Sequence, residues 1–415
     1  MSQLPILVGL DIGTTKICAV AAEVNDDGST NIIGMGSSPS LGMRKGMVVN
    51  IEQTVESIRQ AISECERMAD CNLHSVYVGI AGSHIKGFSS HGLVPIRGGG
   101  EISVHDVERV MEAATSVSIP GDRVLLHSLP QEYIVDGQGG ILNPVGMSGV
   151  RLEVDAHLVT GAETSVRNIT RACEKCGLHV EELILEGLAS SKAVLTDEER
   201  ELGVALIDIG GGTCDIAVFT ENAIKYTGTV ALGGQNVTND LSLGLQTPLS
   251  EAEKIKTMYG CVLSEMVDAN EEIPVPSVGG RPARRLTRGR LTEICGFRME
   301  EILLLVDKEL EKSGYKSLLG AGVVLTGGCS LLLGVEEMAS EVFGLPTRVG
   351  YPINMEDGVD DMVNNPIYAT AIGLIKWGVE KLSQPGEIDQ PELVETPSFW
   401  ERLIDKIKNW FSAIR

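Results

Sequence analysis

Ile6–Val24 reads ILVGLDIGTTKICAVAAEV, and Gly203–Asn222 reads GVALIDIGGGTCDIAVFTEN. Each stretch is an apolar strand, then D-I-G-x-T or D-I-G-G-G-T, then a second apolar strand. That pattern predicts a β-hairpin whose turn is filled by glycine and threonine. The two copies lie about half a chain apart, which points to two related lobes facing each other. A third glycine turn comes late, in Ala321–Val335 (AGVVLTGGCSLLLGV), read as a strand, a Gly-Gly turn and a helical pattern continuing to Phe343.

Between these anchors strands and helices alternate. Helices are expected over Ile51–Met68, Val104–Ser116, Thr164–Cys176, Ser250–Tyr259 and Leu291–Ser313. Such alternation argues for an α/β architecture. Residues 84–162 differ, with strands at Val124–Val135 and Arg151–Thr160, a single helix and glycine-rich turns, and they read as an inserted subdomain. The segment 383–397 (SQPGEIDQPELVETP) has three prolines, four acids and no periodicity, so it is expected to be a flexible linker.

Composition narrows the class. The chain has 415 residues, enough for two or more domains, and 43% are hydrophobic but only 4% aromatic, so its cores must be mainly aliphatic. A net charge of −23 opposes contact with nucleic acid or anionic lipid unless a local basic element is present. The nine cysteines are scattered and fit a reducing compartment. Cys173 and Cys176 form one C-x-x-C, read as two cysteines on one helix face rather than a redox or zinc pair. The N-terminal segment lacks the marks of a signal peptide and no run of 18 apolar residues occurs, so a cytoplasmic body is expected.

The two turns carry the chemistry. A tight glycine turn aims several backbone N–H groups to one side, which forms a nest for an anion. Gly13 and Gly210, Gly211 and Gly212 let backbone approach phosphate oxygens without a Cβ clash, and Thr14, Thr15 and Thr213 add hydroxyl donors. Asp11 and Asp208, at the strand ends, can hold Mg²⁺ through its waters, and Lys16 can bring positive charge to terminal phosphates. One such motif alone is equally an ordinary turn. Two of them, with no G-x-x-x-x-G-K-[ST] in the chain, favour a nucleotide.

The two hairpins and the LTGG turn resemble the two phosphate loops and the adenosine motif of the actin, sugar-kinase and heat-shock-chaperone ATPase superfamily. Ile184–Ser190 (ILEGLAS) resembles its first connecting helix and Asn365–Gly378 (NPIYATAIGLIKWG) its second. The resemblance implies an actin-like two-lobe fold that binds ATP with Mg²⁺. It makes Glu186 a candidate for positioning the attacking water, the alternative being a plain helix-start carboxylate. It brings Gly233, Gly234 and Gln235 to the nucleotide, and Gly327, Gly328 and Ser330 to the adenosine. Glu253 and Lys256 would flank that adenosine, with Ser250 and Glu253 forming a capping box. Any hydrolysis is expected to be slow.

Ser398–Arg415 (SFWERLIDKIKNWFSAIR) reads as an amphipathic helix. On a wheel of about 100° per residue, Phe399, Trp400, Leu403, Ile404, Ile407, Trp410, Phe411 and Ile414 share one arc of roughly 140°. The charged residues fall outside it and sum to +2 in an otherwise acidic chain. A stripe of this kind suits the headgroup plane of an anionic membrane; docking on the protein's own body is the alternative.

Core, insertion, acidic tether and terminal helix together resemble the FtsA family of bacterial cell-division proteins, and Val275–Leu286 (VPSVGGRPARRL) adds to that match. The resemblance implies filament formation at the cytoplasmic face of the membrane, recruitment of later division proteins through 84–162, and capture of the FtsZ C-terminal peptide by a small subdomain at 231–299. Arg281, Arg284, Arg285 and Arg288, with Arg290, would suit an acidic peptide. The expected segments are 1–83, 163–202 and 364–382 for the first lobe, 203–230 and 300–363 for the second, the insert, the small subdomain, the linker 383–397 and the helix 398–415. A small-molecule kinase and a pilus-assembly protein of the same superfamily remain alternatives.

Overall fold

A computed structural model describes residues 4–97, 100–277, 282–353 and 363–383. Two compact units divide the chain, Met1–Val379 and Glu380–Arg415. The site lies in the first. The linker from residue 384 and the helix expected at 398–415 lie outside the described residues.

Both hairpins form. Ile6–Ile12 pairs antiparallel with Lys16–Val24, and Val204–Ile209 with Cys214–Thr220. The near-continuous apolar runs of these strands suit sheets covered on both faces, and nearly every residue of the second hairpin is buried. Each hairpin sits in a five-stranded sheet. The first runs His179–Leu185, Ser75–Ile80, Ile6–Ile12, Lys16–Val24, Thr30–Pro39; the second runs Thr347–Val349, Gly322–Thr326, Val204–Ile209, Cys214–Thr220, Ala223–Val230. Written this way the two sheets are the same topology twice. In each, the hairpin's first strand has a parallel neighbour that follows much later in the chain. The sequence echo is therefore an echo of the fold.

Helices Ile51–Ala69 and Glu163–Glu174 cover one face of the first sheet, closing a core around Leu10, Ile17, Ile58, Ile80 and Ile169. Helix Arg288–Ser313 does so for the second, around Ile207, Ile209, Cys295 and Met299. The space between the sheets is filled by helices Glu186–Val194 and Ala369–Ser383. These two approach so closely that a Cβ on Gly373 would stand 1.8 Å from the Ala189 carbonyl oxygen; the second helix also lies on strand Ile6–Ile12, where a Cβ on Gly9 would stand 2.1 Å from the Ala371 carbonyl oxygen.

The remaining sheet is antiparallel, in the order Lys86–Pro95, Arg151–Ala162, Arg123–Val135, Gln138–Ile141, with helix Val104–Thr115 over one face. Ser103 caps that helix through a reciprocal capping box with Asp106.

Three local expectations are corrected. The helix after the third glycine turn does not run on from it: a 3-10 turn, Gly328–Leu331, intervenes, and the α-helix covers Val335–Phe343. Gly334, at φ +87°, breaks the path, a conformation that glycine adopts without strain. Ser250 and Glu253 form no capping box, because the helix Leu249–Tyr259 starts earlier, at Pro248. Ser250 is then inside the first turn, and Glu253 is used elsewhere. Finally, helix Glu163–Glu174 ends before Cys176, which sits in the turn beyond, so the two cysteines do not share a helix face. Both are free thiols.

Candidate functional site

The turns of the two hairpins meet. A Cβ on Gly211 would lie 2.4 Å from the Thr15 side chain, and one on Gly212 would lie 2.3 Å from Thr14 Oγ1. Only glycine permits that approach. Among the described residues, no backbone N–H of Thr14, Thr15, Gly211 or Gly212 donates to a backbone carbonyl outside regular strands and helices. These turns therefore keep polar donors for something other than the fold, which is the chemistry an anionic phosphate chain needs. Gly233–Gln235 closes in from the side, with Gly234 N–H donating to the Gly210 carbonyl (2.9 Å) and Gln235 N–H to that of Gly211 (2.8 Å).

The late turn arrives on the same floor. Gly327, at φ +81°, rests on Asp208, where a Cβ would be 2.3 Å from Oδ1. Ser330 Oγ donates to the Gly327 carbonyl at 2.7 Å, which holds that turn. Lys256 is buried and its Nζ is ringed by Glu253 Oε2 (2.8 Å), Thr238 Oγ1 (3.0 Å) and the Gly234 carbonyl (3.3 Å). Glu253 also accepts from Thr238. A Cβ on Gly234 would reach Cys329 Sγ and approach Lys256 Nζ. Thus Gly233, Gly234, Gln235, Glu253, Lys256, Gly327 and Ser330 form one wall.

Four carboxylates share this floor. Burial raises Asp11 to about 7, helped by Asp208 and Asp215 and opposed by Lys16. Burial raises Asp215 to about 7, against the Thr229 hydroxyl and with Asp208 adding to the rise. Burial also raises Glu186 well above its ordinary range, with Asp11, Asp215 and Asp208 each adding. Asp208 is raised by burial, while hydrogen bonds from Ser190 and Thr370 pull the other way. Crowded acids of this kind favour a bound cation. Among the described residues no three His, Cys, Asp or Glu side chains converge into a direct ligand set. The carboxylate oxygens are hard donors of the kind Mg²⁺ takes while keeping much of its water shell. Lys16 Nζ stands 4.0 Å over the Tyr368 ring, so its charge rests on an aromatic face at the mouth of the first turn.

Three residues of this floor are not apparent from the motifs alone. Asp215 stands opposite Asp208 in the hairpin register. Ser190 Oγ and Thr370 Oγ1 both donate to Asp208 Oδ2, at 2.5 and 3.2 Å. A signal existed for two of them. Asp215 lies two residues past Thr213, just inside the strand that leaves the turn, and Ser190 lies one helical turn past Glu186. Thr370 comes from 162 residues away, and nothing local points to it.

The arginines are less free than their crowding suggests. Arg284 donates to the Leu245 carbonyl. Arg288 donates to the Tyr259 carbonyl and pairs with Glu271 at 2.7 Å. Arg285 is well exposed and pairs with Glu272, and Arg290 pairs with Glu293. Arg281 lies outside the described residues, as do Phe399, Trp400, Leu403, Ile404, Ile407, Trp410, Phe411 and Ile414. No described helix is long and apolar enough to cross a membrane.

Duplicated sheets, paired glycine turns and crossing helices between them define an actin-like nucleotide-binding protein. Among solved structures the fold is similar to the PilM-PilN type IV pilus biogenesis complex, at TM-score 0.63 and 18% identity over 90% of this chain and 98% of that one. It is also similar to MreB5 of Spiroplasma citri bound to ADP, at TM-score 0.52 and 13% identity over 91% and 98%. Residues 205–373 match the family model "Cell division protein FtsA", and residues 82–160 match "SHS2 domain inserted in FTSA". A cell division protein FtsA of Pseudomonas aeruginosa is 50% identical over 91% of this chain and 90% of its own. The chain belongs to the FtsA family of cell division proteins. The pilus-assembly alternative is not favoured, since 18% identity carries the shared fold alone.

Proposed function

We propose that this cell-division protein binds ATP with Mg²⁺ between its two glycine-threonine turns and acts at the cytoplasmic face of the membrane. There it assembles into filaments, holds the C-terminal peptide of FtsZ and recruits later division proteins. The observation that carries the nucleotide reading is the meeting of two donor-rich turns above four carboxylates whose pKa values burial raises, with mutual repulsion adding to the rise at Asp11, Asp215 and Glu186.

Asp11 and Asp208 hold the cation through water, Thr14, Thr15, Gly211, Gly212 and Thr213 cradle the phosphates, and Lys16 leaves the Tyr368 ring to meet their charge. Glu253, Lys256, Gly327, Gly328 and Ser330 border the adenosine. The cation, when bound, supplies charge stabilisation at the phosphates. Glu186, at the first turn of its helix, orients a water. ATP then acts mainly as a ligand favouring one lobe arrangement.

Of the described Arg284, Arg285 and Arg288, Arg285 is best placed to meet an acidic peptide, because it is exposed while Arg284 and Arg288 already serve backbone carbonyls. The terminal segment 398–415 ties the chain to an anionic surface. Isothermal calorimetry with Mg–ATP tests the centre: Asp11→Ala and Asp208→Ala should each remove most of the affinity in folded protein, and retained affinity would refute the reading. Truncation after Pro397 should abolish co-sedimentation with anionic vesicles.

A further inference from the structure

The antiparallel subdomain is fastened to both lobes by polar contacts that its own fold does not need. His127 and Gln131 stand four residues apart on strand Arg123–Val135. His127 Nε2 accepts the Leu185 N–H at 3.0 Å, in the residue directly before Glu186. Gln131 Nε2 donates to the Ile224 carbonyl at 2.9 Å and to the Lys225 carbonyl at 3.3 Å, on the second lobe. On the adjoining strand, His157 Nε2 meets Thr227 Oγ1 at 2.9 Å. All three insert side chains are nearly inaccessible to solvent.

Gln131 reaches the second lobe because of two bulges. Opposite Arg151–Ala162, Glu132 faces Asp155 and Pro130 faces Ala156, so Gln131 has no partner in the ladder. Pro130 has no N–H to give, which is where a strand yields to a bulge. On the other side, Tyr226 faces Val218 and Ile224 faces Phe219, so Lys225 is likewise left over. A bulge re-aims a side chain and frees a carbonyl. Here one of each meets, and the amide of Gln131 satisfies both carbonyls at the second bulge.

The strand so gripped also reaches into the cleft. Thr227 and Thr229 are two residues apart and project to the same face. Thr227 meets His157 of the insert, and Thr229 Oγ1 donates to Asp215 Oδ1 at 2.8 Å. The cleft acid and the insert are thus connected through a single strand.

We propose that Gln131, with His157, latches the inserted subdomain to the second lobe, while His127 anchors it to the first, so that the position of the insert follows the nucleotide state of the cleft. This rests on the nucleotide reading above and adds its regulation: surfaces on the insert would be offered or withdrawn as ATP binds.

Hydrogen exchange on the full chain, with Mg–ATP affinity measured by calorimetry on the same samples, tests it. The variants are Gln131→Glu, which keeps the volume but turns a donor into an acceptor facing two carbonyls, and Gln131→Ala. Without nucleotide, both should exchange faster in 223–230 and 123–135 by about 10-fold, the factor carried by one buried hydrogen bond. Mg–ATP should change exchange in 123–135 and 151–162 of the parent chain. In the variants that response should be lost while ATP affinity stays within about threefold. Unchanged exchange in nucleotide-free Gln131→Glu would overturn the latch. ATP binding with no response in the parent's insert would overturn the coupling and leave the nucleotide reading standing. No ATP binding at all would overturn that reading and the coupling together, with the nucleotide-free comparison still judging the latch.

Discussion

Asp215→Asn should make the nucleotide-free protein more stable, by an amount that depends on pH. Asp215 is buried to 3% exposure and its pKa moves from the ordinary 3.8 to about 7. Between pH 4 and pH 7 the folded carboxyl keeps its proton while the unfolded one loses it, so the folded state loses stability as pH rises through that window. Above pH 7 the penalty levels off at about 4 kcal/mol, from about 1.4 kcal/mol per pKa unit. At pH 5 less than half of it has developed. The asparagine keeps the shape and still accepts from Thr229, whose hydroxyl is 2.8 Å away. Urea unfolding in chelator should therefore give the variant an advantage over the parent of about 4 kcal/mol at pH 8 and well under half of that at pH 5. Saturating Mg–ATP should narrow the gap at pH 8, because a cation beside the four acids offsets the repulsion that the substitution removes. A variant no more stable than the parent at pH 8, or a gain equal at both pH values, would refute the account of the site as a cluster of strained carboxylates.

The opposite slope is expected at His157, where burial lowers the pKa from 6.5 to about 4. Its unfolded form takes up a proton first as pH falls, so stability drops from pH 6.5 downward. The urea midpoint of His157→Gln, measured at pH 6.5 and pH 4.5, should lack about 2–3 kcal/mol of that loss. Gly373→Ala should lower stability by about 1–3 kcal/mol or more, since the new Cβ would lie 1.8 Å from the Ala189 carbonyl oxygen and force the crossing helices apart. Those helices carry Ser190 and Thr370, so Mg–ATP affinity should fall with it; calorimetry showing full affinity would separate the helix crossing from the site. Glu199→Gln should cost about 1–2 kcal/mol in thermal unfolding, because Glu199 takes both 2.7 Å bonds from Arg348 and joins helix Asp197–Leu202 to strand Thr347–Val349.

The two hairpins were legible in the sequence because everything that makes them is local. Apolar strands flank turns whose glycines and threonines sit at fixed offsets, and the repeat of the pattern foretold the repeat of the sheets. The five helices expected from periodicity form for the same reason, with ends differing by a few residues where capping is decided. Local reasoning failed where a side chain had a better partner far away. Ser250 and Glu253 had the spacing of a capping box, but the helix starts at Pro248, which puts Ser250 inside the first turn, and Glu253 accepts from Thr238, fifteen residues back on another helix. The arginines of 284–290 looked like a free basic patch, yet Arg284 and Arg288 reach carbonyls 39 and 29 residues back.

What the sequence by itself determined, then, is the pair of phosphate-type turns with Asp11 and Asp208 at their edges, because hydrogen bonding between adjacent strands specifies them without reference to the rest of the chain. Only the tertiary structure decided that Asp208 is held by Ser190 and Thr370, that Asp215 and Glu186 crowd the same floor, and that Gln131 bridges two bulges. Those contacts join segments tens to hundreds of residues apart. Their energy comes from burial, which raises the cost of every unpaired charge and the worth of every hydrogen bond, and burial exists only once both lobes and the insert have packed together.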